Sequence, residues 1–259
     1  MLIALDAEPD ARDIGNLAVQ ALRQAPPPTR DTVDALAELA EVTGWILFEE
    51  ERQPEAHHHN LAALALARAA GNRDLETLTL LTMSMQRAHV GRFTEALHLA
   101  DHGESTTTSP RVRAMFALRR ARAYSRMRLT SPALHALDRS RAALEDDPSA
   151  PPWAWWIDES ELLAHHGAVL ANLGRLHEAL PLLTDEPGPR FREVVRAMRY
   201  RTLAALGEWT GPPPTFTSPR AVSIAVSNCA ASGVAGSAAR EVGRSRLIFR
   251  RSKSVIAGK

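Results

Sequence analysis

His98 and His102 stand four residues apart with Asp101 between them, in a stretch whose apolar spacing predicts a helix from Thr94 to His102. Two imidazoles at that interval project from one helix face, the geometry a zinc site uses. The pattern reads His-Leu-Ala-Asp-His, so Leu99 stands where a zinc hydrolase of the common type carries Glu. The order is closer to the inverted His-x-x-Glu-His form, with Asp in place of Glu. No third ligand is spelled out nearby, so no metal is assigned. His98, Asp101 and His102 are the residues a metal-dependent hydrolase would have to use, the most distant of the functions considered. The run His57-His58-His59 cannot chelate together, because consecutive helical residues diverge by about 100°, and it reads as a polar outer face. His165-His166 fails for the same reason. No serine has a Gly-x-Ser-x-Gly context, and Cys229 has no organising partner. There is no Gly-x-x-x-x-Gly-Lys phosphate loop and no dinucleotide fingerprint. The chain is expected to be a binding protein, not an enzyme, and to need no cofactor.

The elements that would position any such residue are marked by a recurring punctuation. Gly91-Arg92-Phe93-Thr94-Glu95-Ala96 is matched by Gly174-Arg175-Leu176-His177-Glu178-Ala179, and each copy closes one apolar-periodic helical stretch and opens another. Degenerate copies run from Glu51 to Ala56 and from Arg128 to Ala133. The aligned alanines Ala56, Ala96, Ala133 and Ala179 are separated by 40, 37 and 46 residues, a period that suits stacked helix pairs. Ala and Leu fill the apolar positions while aromatics make up 5% of the chain, which favours close helix packing over sheets. Four pairs are predicted: about 31–50 with 54–70, 74–90 with 94–102, 110–127 with 131–144, and 155–173 with 176–183. One more helix is expected from Phe191 to Leu206. Asp31 or Thr32, and Ser109 followed by Pro110, supply start signals, and Gly71-Asn72 supplies a stop.

These residues resemble the tetratricopeptide repeat. Gly44 and Gly167 match its first small position, Tyr124 its aromatic, Gly91 and Gly174 its turn, and the four alanines the small residue after the turn. Leu47, Arg87 and Leu170 occupy the other aromatic slots. The resemblance implies an all-α fold, a right-handed superhelix of antiparallel helix pairs. A narrower resemblance covers about 34–206: Leu36 to Glu41 with Gly44-Trp45, Leu64 to Asn72, and Trp153 to Gly167 look like the C-terminal repeat region of actinobacterial helix-turn-helix transcriptional regulators. The thirty or so residues before the first repeat are too few for the DNA-binding domain of such relatives. Their DNA-reading role is therefore not carried over, and a regulatory or sensory role in transcriptional control is what the resemblance implies.

In such arrays the first helix of each pair lines a concave groove. Carried over position by position, the groove comprises Glu38, Glu41, Trp45 and Glu49, then Met85 and His89, then Arg122 and Arg126, then Glu161 and Asn172, and finally Arg201. An acidic end opposite a basic end would fix the direction of a bound peptide or protein segment, with Arg122, Arg126, Asn172 and Arg201 on its carboxylate. Trp153, Trp155 and Trp156 form either an aromatic wall or a cover for the loop side of the array, and the second reading is preferred.

Three regions are expected: 1–30, a weak helix from about Asp10 to Gln24 and the linker Pro26-Pro27-Pro28; the repeat domain 31–210; and a disordered basic tail, 211–259. The net charge of +1 divides into +7 for that tail and −6 for the rest. The tail's composition is also what an altered reading frame of GC-rich DNA would give. Arg244, Arg246, Arg250, Arg251 and Lys253 could bind a phosphate backbone weakly, the basis of an alternative reading as a nucleic-acid-binding regulator. A tail without a helical stripe would leave the apolar face of the last helix uncovered and open to a homo-oligomer contact. One cysteine, no leader pattern and no long apolar run suggest a cytoplasmic chain with no membrane partner.

Overall fold

The computed structural model describes residues 13–144, 147–184, 192–212 and 214–226. Cys229, the basic stretch from Arg240 to Lys259 and the separator from Asp185 to Pro189 lie outside the described residues. The protein is all-α, with no strand among the described residues. Its helices are α1 (Ile14–Gln24), α2 (Val33–Glu49), α3 (Gln53–Ala70), α4 (Arg73–His89), α5 (Phe93–Thr106), α6 (Pro110–Arg126), α7 (Thr130–Ala143), α8 (Glu159–Asn172), α9 (Leu176–Ala179), α10 (Arg192–Leu206) and α11 (Pro219–Val226). Short 3₁₀ turns occupy Pro152–Trp156 and Leu180–Leu182. Contacts divide the chain into two units, Met1–Leu182 and Leu183–Lys259. No helix among the described residues is long and apolar enough to cross a membrane.

In the first unit each helix packs on the next, and the first helix of each pair also packs on the first helix of the following pair: α2 on α4, α4 on α6, α6 on α8. The turn inside each pair is built one way four times. Glu51, Gly91, Arg128 and Gly174 take left-handed backbone conformations with φ of 60°, 84°, 61° and 84°. The N–H that follows each reaches back five residues to a helix carbonyl: Arg52 to Leu47, Arg92 to Arg87, Leu129 to Tyr124 and Arg175 to Leu170, at 2.8–3.0 Å. The carbonyls of Arg52, Arg92, Leu129 and Arg175 then accept from the N–H groups of Ala56, Ala96, Ala133 and Ala179 at 2.9–3.1 Å. Each left-handed residue thus satisfies the end of one helix while the next residue opens its partner. The four alanines are fully buried. The Arg and Glu of the sequence motif pair across the first turn, Arg52 with Glu55 and Arg92 with Glu95 at 2.6 Å, and Arg175 with Glu178 at 2.5 Å.

Small side chains set the spacing within each pair. Seven residues before the left-handed position stand Gly44, Ser84, Ala121 and Gly167, all buried, and nine after it in the first three pairs stand Asn60, Ala100 and Leu137, also buried. A methyl group on Gly44 would fall 1.9 Å from the Asn60 Oδ1 atom. A Cβ on Gly91, in contrast, would meet nothing within 4 Å. The cost of Gly91→Ala is therefore conformational alone, and it is expected to destabilise by about 1 kcal/mol in urea unfolding.

The interfaces between pairs are capped and polar. Gly71 ends α3 at φ 71°, and the Asn72 side chain caps α4 by accepting from the Leu75 N–H at 2.9 Å. Asn72 also donates to Asp34 at the start of α2, 2.7 Å away. Ser109 caps α6 through the Val112 N–H, and Asp158 caps α8 through the Glu161 N–H. The largest core cluster runs through α3 to α8 and holds Leu80, Leu81, Met115, Phe116, Leu118 and Leu137. Trp153 and Trp156 pack against this cluster from the 3₁₀ turn, while Trp155 points outward at 68% exposure.

The second unit corrects two expectations. The stretch after Pro214 is not without helix: α11 occupies Pro219–Val226, with the Ala221 N–H on the Ser218 hydroxyl at 3.3 Å. Nor is the last long helix left bare, since Ala221 and Ala225 of α11, with Phe216, pack on Ala197 and Tyr200 of α10. Glu193 of α10 anchors the approach by accepting from the N–H groups of Thr217 and Ser218 at 3.0 and 2.6 Å. Gly207 supplies a fifth left-handed turn, at φ 74°, and seven residues before it stands buried Tyr200 where the other repeats carry Gly, Ser or Ala. A ring there excludes a second helix at the usual spacing. The chain instead tucks Trp209 edge-on against Tyr200, with 5.0 Å between ring centroids, and returns with α11.

Candidate functional site

The face shared by α2, α4, α6 and α8 carries most of the expected groove residues, in two groups. At the α2–α4 end, Trp45 and Met85 join Phe48 in one apolar cluster, with the Trp45 and Phe48 rings 6.0 Å apart. His89 meets Phe48 edge-on at 5.3 Å and the Glu51 carboxylate at 3.0 Å. Glu41 is buried and accepts from the Thr82 hydroxyl at 3.0 Å, so it joins α2 to α4. Glu38 is exposed and Glu49 half-buried on α2.

At the α6–α8 end, Glu161, Arg119, Arg122 and His165 form a charged cluster. The His165 Nε2 atom lies 3.0 Å from a Glu161 oxygen and 3.4 Å from the Arg119 guanidinium. A carboxylate only accepts and a guanidinium only donates, so the shorter contact puts the imidazole proton on Nε2 towards Glu161, and the Arg119 approach is then not a hydrogen bond. Burial pulls the His165 pKa down to about 4 against the pull of Glu161, and the charges of Arg119 and Arg122 push the same way as burial. His165 is therefore neutral at ordinary pH. This end of the face combines two guanidinium groups, a carboxylate and a neutral imidazole, an arrangement suited to polar recognition.

Two expected groove residues fasten helix ends, and a third lies in the second unit. Arg126 donates to the carbonyls of Ala88 and His89 at 2.8 and 2.9 Å, and its guanidinium lies 5.5 Å from the Phe93 ring centroid. It closes the C-terminal end of α4 rather than reaching into the groove, and desolvation lowers its pKa. Asn172 donates to the Ser125 hydroxyl at 3.1 Å and gives its carbonyl to Arg128, which joins α8 to α6. Arg201 lies half-buried on α10, in the second unit.

The histidine pair of α5 lacks the surroundings of a metal site. Asp101 is taken by the buried Arg120 guanidinium at 2.9 Å, and Arg68 approaches the His102 Nε2 atom at 3.5 Å. Among the described residues no group of three or more His, Cys, Asp or Glu side chains could hold a metal ion. In the triple-histidine run, His57 and His59 are half-buried and His58 exposed, and burial lowers the pKa of His57 and His59.

Arg119, Phe48, Arg128 and His165 were not among the expected site residues. Arg128 had a legible signal, because it stands in register with Gly91 and Gly174. His165 had none, since its neighbours Arg119 and Arg122 come from a helix more than forty residues earlier.

No protein-family model matches this chain, and no curated protein matches it in sequence.

Proposed function

We propose that the chain is a tetratricopeptide-like solenoid whose first-helix face binds a peptide or protein segment, as a regulatory or sensory module in transcriptional control. The observation that carries this reading is the fourfold recurrence of one turn, a left-handed residue followed five positions later by a buried alanine, at Glu51, Gly91, Arg128 and Gly174. Helix pairs repeated in that way display successive first helices side by side, and repeat arrays use such extended surfaces for binding. The transcriptional setting rests on the resemblance of residues 34–206 to regulator repeat regions.

The face offers an apolar anchor at the half-buried Trp45, backed by the buried Met85, and a polar end at Arg122. An aromatic anchor beside charged groups suits a segment with one apolar side chain and a carboxylate further along. Arg126 and Asn172 leave the set of ligand contacts because they fasten helix ends. The test is a pull-down with the full chain, set against Trp45→Leu with Arg122→Gln, the helix content of both being checked by circular dichroism. A specific partner lost by the variant supports the groove. Equal capture by both proteins, or no specific capture, contradicts it.

A further inference from the structure

The C-terminal ends of α2, α4, α6 and α8 are fastened side by side. Glu51 holds His89, Arg126 holds the Ala88 and His89 carbonyls, and Arg128 holds the Asn172 carbonyl. This edge borders the Trp45 and Arg122 face, sharing His89 with it, and it has three unusual features. Its apolar side chains are turned to solvent: Val90 is 41% exposed, Met127 37% and Leu129 41%. Its two stitching cations, Arg126 and Arg128, meet main-chain carbonyls and, for Arg126, the Phe93 ring, and among the described residues neither forms an ion pair with a carboxylate. Finally, Arg128 keeps a left-handed backbone, φ 61°, at a position filled by glycine in the second and fourth turns. Strain of that kind persists where the side chain has a use. A guanidinium on one exposed carbonyl is little reason to forgo glycine.

We propose that this turn edge is a docking strip for an acidic protein segment with interspersed apolar side chains. The cations of Arg126 and Arg128 complement its carboxylates, and Val90, Met127 and Leu129 receive its apolar residues. Charge complementarity selects an acidic partner. The exposed apolar side chains, alternating with the cations, favour a polypeptide over a nucleic-acid backbone, which would leave them in water. Proximity of Arg126 to Val90 and of Arg128 to the Asn172 end of α8 makes the strip continuous over three turns.

The proposal is tested with the full chain and a labelled, acetylated nonapeptide in which leucines alternate with Asp and Glu, read by fluorescence anisotropy. Controls are the same peptide with serine for leucine, the same peptide with lysine for the acids, and a single-stranded oligonucleotide of equal charge. The variant is Arg128→Gly with Met127→Gln, which removes one cation and one apolar group while relieving the left-handed strain, so its thermal melt should match the parent. The acidic leucine peptide should bind the parent, lose affinity with added salt, and lose about tenfold on the variant. Both substituted control peptides should bind more weakly. No binding of the acidic leucine peptide, equal binding by parent and variant, equal binding of the serine peptide, or tighter binding of the oligonucleotide would each overturn the proposal.

Discussion

Phe116→Ala is expected to destabilise the first unit by about 4 kcal/mol, the largest effect of any single truncation considered. The Phe116 ring is fully buried in the main cluster, and it occupies the space that a side chain on Gly103 would take. A Cβ on Gly103 would lie 2.2 Å from the Phe116 Cζ atom and 2.4 Å from Cε1. Gly103→Ala therefore overpacks the same point from the α5 side and should cost about 2 kcal/mol. The two changes act on one volume, so Gly103→Ala combined with Phe116→Ala should lose less than the sum of the two singles. Urea unfolding of the four proteins measures the coupling. Strict additivity would mean that the ring and Gly103 do not meet.

The second large effect is a dependence on acid that runs through His165. Its folded pKa, about 4, lies below the ordinary value of 6.5, so between those limits the unfolded chain binds the proton more readily. Stability from keeping the imidazole neutral is fully present above pH 6.5 and is lost as pH falls toward 4. The total is about 3 kcal/mol, from about 1.4 kcal/mol per pKa unit. Glu161 on its own helix raises the pKa, while Arg119 and Arg122 on α6 lower it. His165→Gln should flatten the fall in stability between pH 6.5 and 4 while leaving stability at pH 8 within about 1 kcal/mol. A parent protein whose stability is level across that window, or a variant that falls as steeply, would show that the imidazole is not held neutral by the α6–α8 contact.

The helix boundaries were largely readable because their signals are local. Ser109 acts on an N–H three residues away, and Gly91 and Gly174 fix the chain where their own backbone turns, whereas the Asp158 cap, which starts α8 at Glu159 instead of about residue 155, was not read. Burial of Ala56, Ala96, Ala133 and Ala179 was readable from their common register. What sequence could not convey was the direction of long side chains. Arg126 and Arg122 are one helical turn apart, yet Arg126 bends to the carbonyls of the preceding pair while Arg122 stays beside His165. The helix α11 was missed because it is only eight residues long and follows a Pro-rich run in a stretch whose Ser, Ala and Gly content reads as irregular. Tyr200 could have announced the change of pattern, since it puts a ring where Gly44, Ser84, Ala121 and Gly167 keep the helices close.

The most direct test of the binding face is a selection of displayed peptides on the full chain, followed by affinity measurement of the recovered sequence. The expected result is a peptide whose affinity falls about tenfold on Trp45→Leu with Arg122→Gln, and is unchanged on Arg128→Gly with Met127→Gln. Failure to recover any specific peptide, or a recovered peptide insensitive to Trp45 and Arg122, would contradict it.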